Sequence, residues 1–411
     1  MKSRKFVTLL LLAAALCHAG ASDTGASAST AAATAPLDLA GSLLYRVESR
    51  TDRQNELAFK LFGILLREGR LEEATALASK MTDHHRGMSL ARLAVLRKTR
   101  GEQAAALELA EKALEETSTS RAIRRSGEVK AELMALDFVA DEDEFSGILK
   151  QIGQIEDRRG KVAANAGYVR FGEIEDHAEF VAIIQQMMPT DPDNPRTEYD
   201  ILSQAILDRA HALADPESGD DESGDRAVEL AELAIEVGHR SKFVHPETLI
   251  RSAELAAKLD REILIDYETS GEPQRLTPVT MRFFMGIGDN NYWKAEKLVR
   301  LAVPAKRAGN EKLARELVEN AEEVAEKTRE YERSAAMSWA TAGYAMLGDA
   351  AKASACGSKI IEMVADNPNP FNKVLAAMET CFAYHHFGLD LQPQLAENLR
   401  QLVLDETGTD A

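Results

Sequence analysis

Aromatic side chains are scarce: only 6% of the 411 residues are Phe, Tyr or Trp, with two Trp among them. That counts against a protein that grips sugar rings or bases by stacking. Cysteine is scarcer still, three in all and no Cys-x-x-Cys, which excludes zinc ribbons and thioredoxin-like redox pairs. His-Glu-x-x-His and Gly-x-Ser-x-Gly are also missing, so no zincin helix or nucleophile elbow is present. Gly153 to Gly160-Lys161-Val162 mimics a phosphate loop. It has six residues between the glycines instead of four and no hydroxyl after the Lys, so helix with a turn is the reading. Alternating Val, Ile, Thr and Tyr runs are absent too, which leaves little room for strands. Positive charge is in deficit, with a formal net charge of -18. Such a surface repels nucleic acid and anionic membranes.

What is present begins with an export pattern. Lys2, Arg4 and Lys5 precede an apolar run from Phe6 to Leu16, and Ala19-Gly20-Ala21 supplies small residues for cleavage. Residues 1–21 are therefore expected to be a secretory signal. Leu16 is too large for the residue before a lipidated Cys17. No later apolar run approaches the ~20 residues of a membrane-spanning helix, so the expected location is periplasmic or extracellular. Residues 22–36 are a leader of Ala, Ser, Thr and Gly closed by Pro36, with nothing to bury.

From Leu37 to Ala411 the pattern is helical. In residues 307–328 one helix ends at Gly309 and the next opens at Asn310. Leu313, Ala314, Leu317, Val318, Ala321, Val324 and Ala325 then recur at steps of three and four, giving one apolar stripe. The same Gly-x4-Ala joint occurs at Gly69/Ala74, Gly101/Ala106 and Gly348/Ala353, and Gly388 marks a further turn. Gly69 to Gly101 is a step of 32 residues, and the late steps are 39 and 40. A recurrent period of 20–50 marks a solenoid. Each hairpin leaves an apolar face that the next one covers. The expected fold is all-α, an α-solenoid of stacked antiparallel hairpins over 37–411. The stiff segment Pro189 to Pro195 allows two sub-arrays, 37–189 and 196–411.

These joints resemble tetratricopeptide-like (TPR-like) repeats. Ala74, Ala106, Ala314 and Ala353 stand where that family places its second-helix Ala. Ala78, Ala110 and Val318 match the next inward position, and Pro189 fits a repeat-end Pro. Repeat length drifts, most repeats lack the Pro, and the first-helix Trp and Tyr are mostly missing. The resemblance implies a superhelix whose concave face, lined by first helices, binds a protein or peptide.

Candidate sites follow. Residues 86–130 carry ten Lys and Arg against six acids within an acidic chain. Arg92, Arg124, Arg125, Arg158 and Arg159 fall on first helices, and a patch of charged forks there suits an acidic peptide or a C-terminal carboxylate. The bland alternative is a solvated face paired with neighbouring Glu. Phe283, Phe284, Tyr292 and Trp293 form either a second contact patch or core. His84-His85 and His385-His386 are adjacent pairs whose side chains point about 100° apart on a helix, unsuited to one metal. The acidic stretch 215–225 does not fit a calcium loop, since its glycines fall at the wrong offsets. No cofactor or metal is expected. Cys356 and Cys381 lie at similar height on successive helices, and export favours a disulfide between them. Two buried thiols are the alternative. The function expected is an exported interaction or scaffolding module with no enzymatic activity. The alternatives are an α/α-scaffold envelope enzyme, such as a glycan hydrolase, and a self-assembling surface protein.

Overall fold

The computed structural model describes residues 34–46, 51–117, 126–134, 177–187, 196–214, 221–239, 246–261, 264–265, 274–275 and 292–404, with isolated positions at 136, 148, 166, 167 and 169. Residues from Thr34 onward form one compact unit. The protein is an all-α array of helical hairpins. The helices are α1 (Pro36–Leu43), α2 (Thr51–Arg67), α3 (Leu71–Lys80), α4 (Asp83–Thr99), α5 (Gln103–Thr117), α6 (Ser126–Met134), α7 (His177–Met187) and α8 (Arg196–Leu213). They continue as α9 (Asp221–His239), α10 (Pro246–Leu259), α11 (Tyr292–Arg307), α12 (Glu311–Lys327), α13 (Glu330–Met346), α14 (Ala350–Ala365), α15 (Pro370–His386) and α16 (Pro393–Leu404). A two-residue antiparallel ladder pairs Leu264–Ile265 with Gln274–Arg275, a detail the sequence pattern does not announce.

The joints have one construction. Gly69, Gly101, Gly309, Gly348 and Gly388 have φ between 64° and 81°, the left-handed region open to glycine. The residue after each glycine donates its N–H five residues back: Arg70 to Leu65, Glu102 to Arg97, Asn310 to Ala305, Asp349 to Tyr344 and Leu389 to Tyr384, all at 2.9–3.0 Å. In the first four of these joints its own carbonyl then accepts from the Ala five residues after the glycine: Ala74, Ala106, Ala314 and Ala353, at 3.0 Å. One helix is capped and the next begun on the same residue. Those alanines are 0–1% exposed, so the helix axes approach closely there. Asn310 and Asp349 also cap α12 and α14 by accepting from Leu313 and Lys352. The apolar stripe of α12 is buried at all seven positions read from the sequence.

The first helices of the hairpins pack on one another. α2 meets α4, α4 meets α6, α8 meets α10, and α10, α11, α13 and α15 follow in turn. Buried hydroxyls tie neighbours together: Ser203 Oγ lies 3.1 Å from Thr248 Oγ1, and Ser338 Oγ lies 2.8 Å from Thr380 Oγ1. The array closes on itself. α15 packs against α1 and α2, α16 against α1, and Leu391 donates its N–H to the carbonyl of Thr34 at 3.3 Å. An open concave groove is therefore not what the described hairpins make; the first helices face an interior.

α9 opens at Asp221, inside the acidic stretch 215–225. Its acidic start suits a helix N-terminus, which draws the end of the acidic stretch into the helix. The two cysteines of the expected disulfide lie on α14 and α15. Cys356 and Cys381 are free, buried thiols. The Cys356 thiol turns to Glu322 of α12, with Sγ 3.7 Å from Oε1. The Cys381 side chain is fully buried on α15. Similar height on successive helices does not by itself bring two sulfurs together.

Candidate functional site

The interior face carries a network of charges drawn from helices far apart in sequence. Arg92 on α4 donates to Glu132 on α6 at 2.7 Å. Arg251 on α10 donates to Asp208 and Gln204 on α8, both at 2.7 Å. Arg300 on α11 holds Glu254 with two bonds at 2.8 Å and Glu247 at 2.8 Å, both on α10. Lys60 on α2 sits 2.9 Å from both carboxylate oxygens of Glu379 on α15, which also accepts from Trp339 Nε1 on α13 at 3.1 Å. His386 on α15 reaches Glu254 at 3.0 Å, spanning helices that are not neighbours in the array.

Burial sets the electrostatics. It pushes the Glu254 carboxyl up, but Arg300 and then His386 overcome it and hold the group well below the usual carboxylate range. Glu296, on the same helix as Arg300, goes the other way. Burial raises it, Lys60 and Arg300 oppose, and the carboxylate of Glu379 adds to the rise. Burial disfavours the Lys60 ammonium, yet Glu379 and Glu296 leave it above its ordinary value. The His211 imidazole is driven down to about 4, first by burial and then by Arg251.

Of the arginines singled out from sequence, Arg92 belongs to this network. Its guanidinium lies over the Phe59 ring at 4.8 Å and is committed to Glu132, so it is a paired interior residue rather than a free fork. Arg124, Arg125, Arg158 and Arg159 lie outside the described residues, as do Phe283 and Phe284. Tyr292 and Trp293 meet with tilted rings at the start of α11, centroids 4.5 Å apart. Trp293 is 54% exposed, the one exposed large apolar side chain among the described residues. His385 and His386 diverge, to Glu68 at 3.5 Å and to Glu254 at 3.0 Å. His84 and His85 stay together, rings 3.9 Å apart, with His85 packed edge-on to Phe59.

Periodicity alone misses Lys60, Glu254, Arg300 and Glu379, which read as charges on amphipathic helices. A signal exists nonetheless. Arg300 interrupts the apolar run Leu298 to Val303, and Glu379 interrupts Ala376 to Phe382. A charge inside such a run is buried only when paired.

No protein-family model matches the chain, and no curated protein matches it. A solved circular tandem repeat protein, described as having novel repeat topology and enhanced subunit contact surfaces, is similar over 90% of this chain and 93% of its own, at 13% identity and a TM-score of 0.22. At that score the likeness carries no weight; the fold rests on the helices and contacts above.

Proposed function

We propose that the protein is an exported helical-repeat interaction module, TPR-like in its joints, that holds a protein or peptide partner through the interior layer of first helices and its rim. The observation that supports this reading is the interior network. Ion pairs taken from water contribute little to stability compared with apolar packing, yet eight first helices converge charged or polar groups on one face. Several remain within reach of water: the side chains of Lys60, Arg92 and Asp208 are 34%, 28% and 37% exposed. Trp293 offers an apolar anchor of the kind that dominates interfaces. Export rests on the basic start, the apolar run and the small residues at 19–21.

The test is affinity capture from an envelope extract with the chain lacking residues 1–21, followed by hydrogen exchange of the isolated complex. The expected result is a defined partner that protects α2, α10, α11 and α15. Protection confined to α3, α12, α14 and α16 would overturn the interior assignment. Mass spectrometry of the exported product is expected to find Ser22 first.

One observation favours an enzymatic second reading. Glu254 and Glu296 both reach Arg300, at 2.8 and 3.5 Å, and their environments push the two carboxyls apart, a pattern of acid–base pairs. Turnover of an envelope glycan that Glu296→Gln abolishes would establish it. A screen without turnover would remove it.

A further inference from the structure

We propose that the cavity at the seam between α1 and α16 binds a small amphipathic carboxylate, an aliphatic acid whose head meets Arg46 and Arg400 and whose chain lies against leucines. The site goes beyond the interior layer of first helices. None of its side chains belongs to the ion-pair network described there.

The cavity holds about 380 Å³ and lies where the first described helix of the array meets the last. That is at the small end of ligand pockets, which run from ~300 to ~1,000 Å³. Its apolar surface comes from Leu39 and Leu43 of α1 and from Leu404, the last residue of α16. Its positive charge comes from Arg46, just beyond α1, and from Arg400, one turn before Leu404. One carboxylate, that of Asp38, also lines the cavity, but Arg70 holds it at 2.6 Å. The wall therefore presents two guanidiniums and no unmatched acid, in a chain whose formal net charge is -18.

Neither guanidinium has a short partner among the described residues. Arg46 makes no ion pair with any of them. It donates from Nε to the Ser42 carbonyl at 3.3 Å, which leaves both terminal nitrogens for a ligand. Arg400 reaches Thr34 Oγ1 at 3.4 Å and Glu397 at 3.5 Å. Both are long for charge-assisted bonds, and an exposed ion pair like the second contributes little. The planar fork matches the two oxygens of a carboxylate. An inorganic anion would satisfy the forks alone. An aliphatic chain also covers the half-buried Leu404 and meets Leu39 and Leu43, which removes apolar surface from water. The bound acid bridges the seam as well. The bonds that Thr34 makes across it, from Leu391 N–H at 3.3 Å and from Arg400 at 3.4 Å, are long. A ligand held by Arg46 on one side and Arg400 on the other strengthens the closure of the array and stabilises the folded chain.

The experiment is titration calorimetry and thermal unfolding of the full chain with sodium hexanoate, sodium acetate, sodium phosphate and hexanamide at matched ionic strength. The native sequence is compared with Arg46→Gln and Ser42→Phe. The expected result is saturable binding of hexanoate with a rise in Tm, a weaker response to acetate and phosphate, and none to hexanamide, which keeps the chain and lacks the charge. Arg46→Gln is expected to weaken hexanoate binding about tenfold, the loss of one charge-assisted contact. Without ligand it unfolds at the native temperature, because Arg46 is exposed and makes no ion pair with a described residue; that separates loss of the site from loss of the fold. Ser42→Phe, at an exposed position of the cavity wall, fills the space with both guanidiniums kept and is expected to abolish binding. No binding of hexanoate, or an equal response to acetate, phosphate or hexanamide, overturns the proposal. So does hexanoate binding that either variant leaves unchanged.

Discussion

Lys60 and Glu379 stand 319 residues apart in sequence and 2.9 Å apart in space. The ammonium comes from α2, near the start of the array, and the carboxylate from α15, in its last hairpin. The Glu379 side chain is 2% exposed and takes a second bond from Trp339 Nε1. The Lys60 ammonium also lies 4.8 Å from the Phe382 ring centre and 5.8 Å from that of Trp339. One ion pair thus joins the two ends of the repeat array.

Removing Lys60 leaves a buried carboxylate with only the indole for company. Lys60→Met is expected to destabilise by about 2 kcal/mol, less than the 3–5 of a fully buried pair because the ammonium is partly in water. Lys60→Met/Glu379→Met is expected to recover most of that loss, since it removes the stranded charge. Urea unfolding of both variants checks this. The pair also has a pH signature. The folded-state pKa of Lys60 is raised above 10.5, so its contribution is complete below that pH and is lost as pH rises through the higher folded value.

The hairpins are legible in the sequence because they are local. Gly309, Asn310 and Ala314 lie within six residues, and their roles as left-handed cap, helix start and close-packing site follow from residue type alone. The closure is different in kind. Nothing in the spacing of Lys60 or of Thr34 points to Glu379 or Leu391, because the pairing arises from the summed rotation of many hairpins. The interior network is hidden for a related reason. Asp208, Glu254 and Arg300 each look like a solvated charge until the helices that bury them are placed. Arg92 was visible as a cation on a first helix, but its partner Glu132 lies 40 residues on.

His211 gives the array an acid-sensitive point. The neutral imidazole is half-buried beside Arg251, with Nε2 3.1 Å from that residue's carbonyl oxygen, and its pKa falls from 6.5 to about 4. The unfolded chain takes up a proton between those values that the folded chain refuses. Stability therefore falls as pH drops through that window. Near pH ~4.5 the loss from this group is about 2–3 kcal/mol. His211→Gln is expected to lose correspondingly less stability between pH ~7 and ~4.5 in urea titrations. A slope equal to that of the native chain would show that another group controls the window.

Gly343 fixes how closely three helices meet. It lies in α13, and a Cβ there would stand 2.8 Å from Val299 Cγ1 of α11 and 3.0 Å from both Val318 methyls of α12. Two valines from different helices cannot both retreat without moving backbone. Gly343→Ala is expected to cost about 1–3 kcal/mol through overpacking, in spite of alanine's better helix propensity. Gly343→Ala/Val299→Ala is expected to regain part of it, and a double-mutant cycle in urea measures the coupling.

The two thiols of the C-terminal hairpins offer a test of layer assignment. Burial pushes Cys356 up to about 12, with the Glu322 carboxylate adding to the rise. Burial also takes Cys381 to about 12, with Arg400 opposing. The thiolate is the reactive species, so both are expected to resist an aromatic disulfide reagent in the native state and to react at once in denaturant without reductant. Cys381 is 0% exposed against 2% for Cys356, and Cys356 lies near the surface carboxylate of Glu322, so Cys356 is expected to react first as local openings occur. Glu322→Gln removes the neighbouring negative charge and should speed Cys356 without changing Cys381. A mixed result, with no thiol released in denaturant until reductant is added, would mean that the hairpins α13/α14 and α15/α16 pair differently in the oxidised chain, bringing the two sulfurs into one layer.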